Sequence, residues 1–92
     1  MALLEEVLEE VRKERARQDI KHPIEDDDFI FPEKWLAIII EEVGEFAEDV
    51  NNQQFMGGYY HENMRSELIQ IAASAVRAIQ NLDAEFDRLD QW

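Results

Sequence analysis

Residues 38–49 read Ile38-Ile39-Ile40-Glu41-Glu42-Val43-Gly44-Glu45-Phe46-Ala47-Glu48-Asp49, a stretch apolar enough to be buried that nevertheless carries five acids. Its apolar residues recur at three- and four-residue spacings rather than alternating, which is the period of a helix. At about 100° per residue, Trp35, Leu36, Ile39, Val43, Phe46 and Val50 share one arc, and this face is predicted to turn to the core. Glu42 lies just beside Trp35 and Phe46, with Asp49 and Glu45 next and Glu41 further round. Glu48 points the other way. Like charges at these spacings repel by a few tenths of a kcal/mol per pair, and partial burial of a carboxylate costs more. The pattern therefore asks for a positive partner.

The rest of the chain is helical in the same way. The first helix is predicted from about Ala2 to Asp19, with Leu4, Val7, Leu8 and Val11 on its buried side. Glu5, Glu6, Glu9 and Glu10 precede Arg12, Lys13, Arg15 and Arg17, an order that suits the helix dipole. Lys21 to Phe31 form a connection containing Pro23 and the run Asp26, Asp27, Asp28. Pro32 followed by Glu33 marks the start of the second helix, which reaches roughly Asn52. Gln53 to Tyr60, with Gly57 and Gly58, reads as a turn. A third helix takes Glu62 to about Asn81, and a short fourth runs from Asp83 to Leu89. The expected fold is all-α: one domain over residues 1–92, three long helices and a short C-terminal one, assembled as a dimer or a dimer of dimers. At 92 residues the chain buries only a modest core alone, and association supplements it.

Composition narrows the function. A formal charge of -13 disfavours nucleic acid and anionic lipid as partners, because polyanion binding needs clustered positive charge. The longest apolar run, Trp35 to Ile40, is far too short to span a bilayer, and no secretory signal pattern is visible. With no cysteine there is neither a disulfide framework nor a thiolate zinc site, so a soluble protein of the cytoplasm is expected. His22 and His61 are too isolated to point to zinc, and the Asp26 to Asp28 run lacks the alternating ligands and glycine of a calcium loop.

The third helix shows where the acids lead. Met64, Leu68, Ile69, Ile71, Ala72, Ala73, Ala75, Val76 and Ile79 cover most of its circumference, leaving one narrow polar line of Glu67, Gln70, Ser74 and Arg77. If the second and third helices pack antiparallel across their short Gly-containing connection, their acidic strips converge on one cavity. Several carboxylates facing one another are tolerable around a cation. Oxygen-only ligation selects a hard ion, Mg2+ first and Mn2+ second.

Glu41-Glu42-x-x-Glu45, followed after a helix-sized gap by Glu67-x-x-Gln70, resembles the EExxE...ExxD signature of the all-α nucleoside triphosphate pyrophosphohydrolases of the MazG-like type. The lead-in Glu14-Arg15-x-Arg17-Gln18-Asp19-x-Lys21, then Lys34-Trp35-Leu36, resembles that of short phage and mobile-cassette members, so the likeness spans about residues 11 to 80. The departure is Gln70, where the commoner pattern has Asp. A Gln carbonyl oxygen still ligates Mg2+ or accepts a hydrogen bond from its water, although it brings no charge. The resemblance implies hydrolysis of a nucleoside or deoxynucleoside triphosphate to the monophosphate and pyrophosphate, as nucleotide-pool house-cleaning. It implies Mg2+ held by Glu42, Glu45, Glu67 and Gln70, with Glu41 as general base or ligand of a second metal. Arg77 or a basic residue from the group Arg15, Arg17 and Lys21 would hold the outgoing pyrophosphate. Trp35, with Tyr59, Tyr60 or His61, would offer the base a stacking surface.

Plainer readings stand beside these. Trp35 fits the core equally well, Arg77 a neutralising partner for Glu67, and Asp49 a solvated acid. Two other functions fit the composition: a catalytically silent acidic helical module, and a decoy imitating nucleic acid. The decoy needs its acids spread over the outer surface, whereas the wheel concentrates several beside the core.

Overall fold

The computed structural model describes residues 2–24, 29–55 and 57–89. They form three helices, α1 (Leu4–Lys21), α2 (Pro32–Phe55) and α3 (His61–Leu89), with no strand among the described residues. The all-α expectation is met. The Asp26 to Asp28 run lies outside the described residues.

Each boundary has a local cause. The Glu6 carboxylate accepts the Leu3 N–H ahead of the first turn of α1. Pro32 occupies the first position of α2, where its missing N–H costs nothing, and the Phe31 carbonyl accepts from Lys34 N–H at 2.9 Å. The turn after α2 uses Gly57 at φ 76° and Gly58 at φ 104°, a region closed to most side chains. A Cβ at Gly58 would also stand 3.2 Å from the Tyr60 ring. The Gln53 side-chain oxygen accepts the Tyr60 N–H across this turn, which carries α2 past Asn52.

The expected break before a fourth helix is absent. Residues 83–89 continue α3, because nothing after Gly58 is Gly or Pro and the Arg88–Glu85 pair supports the last turns. α3 packs against α1 on one side and α2 on another, whereas α1 and α2 do not pack together. It is the spine of the molecule.

α1 runs along α3 from Glu10, paired with Arg65, to Asp19 and the His22 carbonyl, both bonded by Arg77. Arg77, only 7% exposed, also lies 5.8 Å from the centroid of the Trp35 ring. One side chain thus fastens all three helices. Asn81 does a similar service, accepting from the Ile30 main-chain N–H at 3.0 Å and from Trp35 Nε1 at 3.3 Å.

The core is thin. Trp35, Ala73 and Ala78 are its buried apolar residues, joined by the polar Gln18, Ser74 and Arg77. The predicted buried face of α1 needs correction: Leu4 and Leu8 are exposed and Val7 and Val11 only half-buried. The physical reason is that Leu4, Val7 and Leu8 precede Glu10, which is already paired with Arg65 near the start of α3. On α2, Leu36, Val43 and Val50 are likewise exposed, along one flank, while Trp35, Ile39 and Phe46 turn inward. Exposed Leu68, Val76, Ile79, Leu82 and Phe86 form a matching stripe on α3. No helix is long and apolar enough to cross a membrane among the described residues.

Asn81→Ala strands two donors, one on the buried Trp35. It should lower unfolding free energy in urea by about 2 kcal/mol. Arg88→Ala, which breaks an exposed pair, should change it by less than about 0.5 kcal/mol.

Candidate active site

Because α1 and α2 stand apart over α3, a cavity of about 490 Å³ opens between them. Its floor is the polar line of α3, contributed by Gln70, Ser74 and Arg77. One wall is α2, with Lys34, Ile38, Glu41, Glu42 and Glu45; the other is α1, with Arg17, Gln18, Lys21 and His22. A second cavity of about 320 Å³ shares Lys21, His22, Lys34, Ile38 and Arg77 with the first and ends on Ile24, Ile30 and Trp35. Together they run from an acidic end, past a cationic middle, to an apolar end.

The acids are held under tension. Burial raises the Glu42 carboxyl above the ordinary carboxylate range, against a hydrogen bond from Ser74, and the charges of Glu45, Glu14 and Glu41 push the same way. Glu67 is pushed up to about 7, first by burial, then by its hydrogen bond and repulsion with Glu45, and further by Asp49 and Glu42. Glu42 Oε1 and Glu67 Oε2 are buried without a hydrogen-bond partner. A native interior seldom leaves such atoms unpaired. Two orphaned carboxylate oxygens on facing helices suit a divalent cation, and this donor set of oxygens suits Mg2+ or Mn2+. Among the described residues no three acidic or histidine side chains are grouped closely enough to hold a metal ion as they stand.

Glu42 and Glu45 line the cavity, Glu67 is hydrogen-bonded to Glu45 outside its lining, and Glu41 lies exposed on the rim. Gln70 lines the floor, and its main-chain carbonyl accepts from Gln18 Nε2 at 3.3 Å. Lys21 and Arg17 line the cavity from α1. Arg17 donates from Nε and one terminal nitrogen to the two Glu14 carboxylate oxygens, at 2.7 Å each, along one edge of its guanidinium. Arg77 lines the cavity too, but its Nε and one terminal nitrogen are engaged by Asp19 and the His22 carbonyl. Trp35 is 4% exposed and reaches the second cavity as part of the core. Tyr59 stacks on His61 in the turn at the far end of α2, and both are exposed.

Three participants escaped the sequence reading as site residues. Asp49 acts on Glu67, Lys34 belongs to the cationic rim, and Gln18 is buried on the α1 wall. The wheel placed Asp49 next to Glu42, which was the available signal. Lys34 and Gln18 stand only inside the quoted lead-in, where nothing marks them as facing the acids.

No protein-family model matches the chain, and neither a curated protein nor a solved structure is significantly similar to it. The likeness to MazG-like enzymes rests on the quoted motifs alone.

Between pH 4.5 and about 7 the folded protein holds a proton on Glu67 that the unfolded chain has released, so stability falls as pH rises through this window. Urea unfolding in EDTA should show lower stability at pH 8 than at pH 5. Glu67→Gln, uncharged throughout, should flatten most of that slope.

Proposed function

We propose that the protein is a Mg2+-dependent pyrophosphohydrolase of nucleoside or deoxynucleoside triphosphates, canonical or modified. The observation that carries this reading is the groove in which Glu41, Glu42 and Glu45 stand beside a cationic rim, with Glu67 hydrogen-bonded to Glu45 and a buried, unpartnered oxygen on both Glu42 and Glu67. Glu42, Glu45 and Glu67, with the Gln70 side-chain oxygen, would hold the ion. When bound, Mg2+ supplies positive charge to phosphate oxygens and acidity to water.

The chain's own groups do the remainder. Glu41, on the solvent side of the acids, takes the proton of the attacking water. The water oxygen bonds to the α-phosphorus, the α–β phosphoanhydride bond breaks, and pyrophosphate leaves with the bridging oxygen. Lys21, Lys34 and Arg17 neutralise the departing phosphates. Arg77, anchored by Asp19, fixes the end of α1 that carries Lys21 and adds its positive charge to the rim. The apolar end of the groove, with Trp35 behind Ile24, Ile30 and Ile38, receives the base.

The same reading includes assembly of identical chains as a dimer or dimer of dimers. The chain measures 56 × 28 × 21 Å and exposes 7216 Å². A compact monomer of this mass exposes about 5,600 Å². The excess, about 1,600 Å², exceeds the roughly 800 Å² that one partner hides in a standard interface. Leu36, Ile40 and Val43 on α2, and Leu68 and Ile79 on α3, supply the apolar flank, on the sides of those helices turned away from the acids.

With Mg2+, purified protein should release pyrophosphate from a triphosphate panel, and Glu42→Gln should lower turnover about a hundredfold with its fold intact. Equal turnover by that variant removes the metal role, and no turnover together with a melting point indifferent to Mg2+ favours the silent helical module. In sedimentation, the wild type should run as a dimer or larger and the double variant Val43→Glu, Ile79→Glu as a monomer.

A further inference from the structure

α3 is built inside out. The line it turns toward α1 and α2 is polar, running through Gln70, Ser74, Arg77 and Asn81. Its apolar line faces outward, starting at Leu68 and advancing by alternate steps of four and three through Ala72, Ala75, Ile79, Leu82 and Phe86. Ile79 is 57% exposed and Phe86 70%, Leu68 and Leu82 are exposed as well, and the two alanines are half-buried. α2 repeats the pattern. Leu36, Ile40, Val43, Ala47 and Val50 follow the same steps, and all five are exposed.

Alternate steps of four and three give a period of 3.5 residues, which keeps a seam facing a second helix along its whole length. On the wheel each seam stands about 90° from the direction that joins α2 to α3, on the side away from α1. The two seams therefore make one apolar face of the α2–α3 pair, with the groove on its opposite side. Two antiparallel helices cover such a face only by meeting two more. The surplus exposed surface of the single chain matches one partner of its own kind.

Phe86 sets the direction of pairing. Asn81 already bonds Ile30 and Trp35 at the start of α2, so Phe86 lies beyond that start. A two-fold axis along the helices would lay the α2 of a second copy on α3 and stop short of Phe86. An axis across them lays α3 on α3 in opposite directions and covers it. Helices approach most closely where their side chains are smallest. Ala75 is the midpoint of His61–Leu89, with larger apolar residues toward both ends.

We infer that α2 and α3 form a four-helix core with the same two helices of a second copy, the two α3 helices running in opposite directions and crossing near Ala75. This rests on the proposed assembly of identical chains and adds its face, its direction and its centre; it does not depend on a cation. Both grooves then open outward, each complete within its own chain.

The chain has no cysteine, so single cysteines placed at exposed Asp83 and Asp87 of the full chain carry one spin label each. Opposed helices separate paired labels by about 3 Å for every residue between the label and the crossing, twice the helical rise. Double electron–electron resonance should place the Asp87→Cys pair about 12 Å farther apart than the Asp83→Cys pair. Equal separations, in protein that sediments as a dimer or larger, overturn the proposal and leave assembly standing. A monomer at the labelling concentration overturns both, and the pyrophosphate assay still judges the enzyme. Should either labelled variant lose helicity, Glu62→Cys replaces it, on the far side of Ala75. Its labels should stand about 39 Å apart along the axis, and a separation under about 20 Å overturns the crossing.

Discussion

Carboxylates packed between helices cannot all be ionised at once, and the arrangement of this molecule follows from that constraint. Glu42, bonded by Ser74, and Glu67, bonded to Glu45, lie along the α2–α3 seam, each with one buried oxygen that has no partner. Desolvating a charge costs more than an ordinary surface contact returns. The chain meets the cost partly by keeping a proton on Glu67, through burial and the nearby Glu45, and partly through the Ser74 hydroxyl at Glu42. On the proposed reading, such a seam exchanges its proton for a cation.

Keeping the groove beside the seam open requires α1 to stay off α2, and Arg77 is central to that. Its guanidinium takes Asp19 and the His22 carbonyl while lying over Trp35, so the end of α1 is tethered to α3 rather than collapsing onto α2. Farther along, Arg65 and Glu10 repeat the tether at the opposite end. The groove between these ties is floored by polar groups of α3, which explains why a helix otherwise apolar nearly all round carries one unbroken polar line.

Much of this was legible in the chain itself. The three-and-four spacing identified the helices, Pro32 and the glycine pair placed two of their ends, and the wheel put Glu42, Glu45 and Glu67 on converging strips. What escaped has a common cause. Periodicity reports that a residue is apolar, not which neighbour covers it, so Leu4, Leu8, Leu36 and Val43 were assigned to a core too small to take them. Pairings between distant segments, such as Asp19 with Arg77 or Gln18 with Gln70, leave no periodic trace. The run 83–89 was read as a separate short helix, although the absence of Gly and Pro after Gly58 permits α3 to continue through it.

The two walls of the acidic seam differ in stiffness. Gly44 sits in the turn of α2 that also bears Glu41, Glu42 and Glu45, and a Cβ there would meet nothing within 4 Å. Open space means that crowding does not demand the glycine, while a mid-helix glycine gives up about 1 kcal/mol relative to alanine. Opposite it, α3 is reinforced by Ala72, Ala73, Ala75 and Ala78, the strongest helix formers. The wall formed by α2 is thus the more pliant one, facing an α3 built to stay straight.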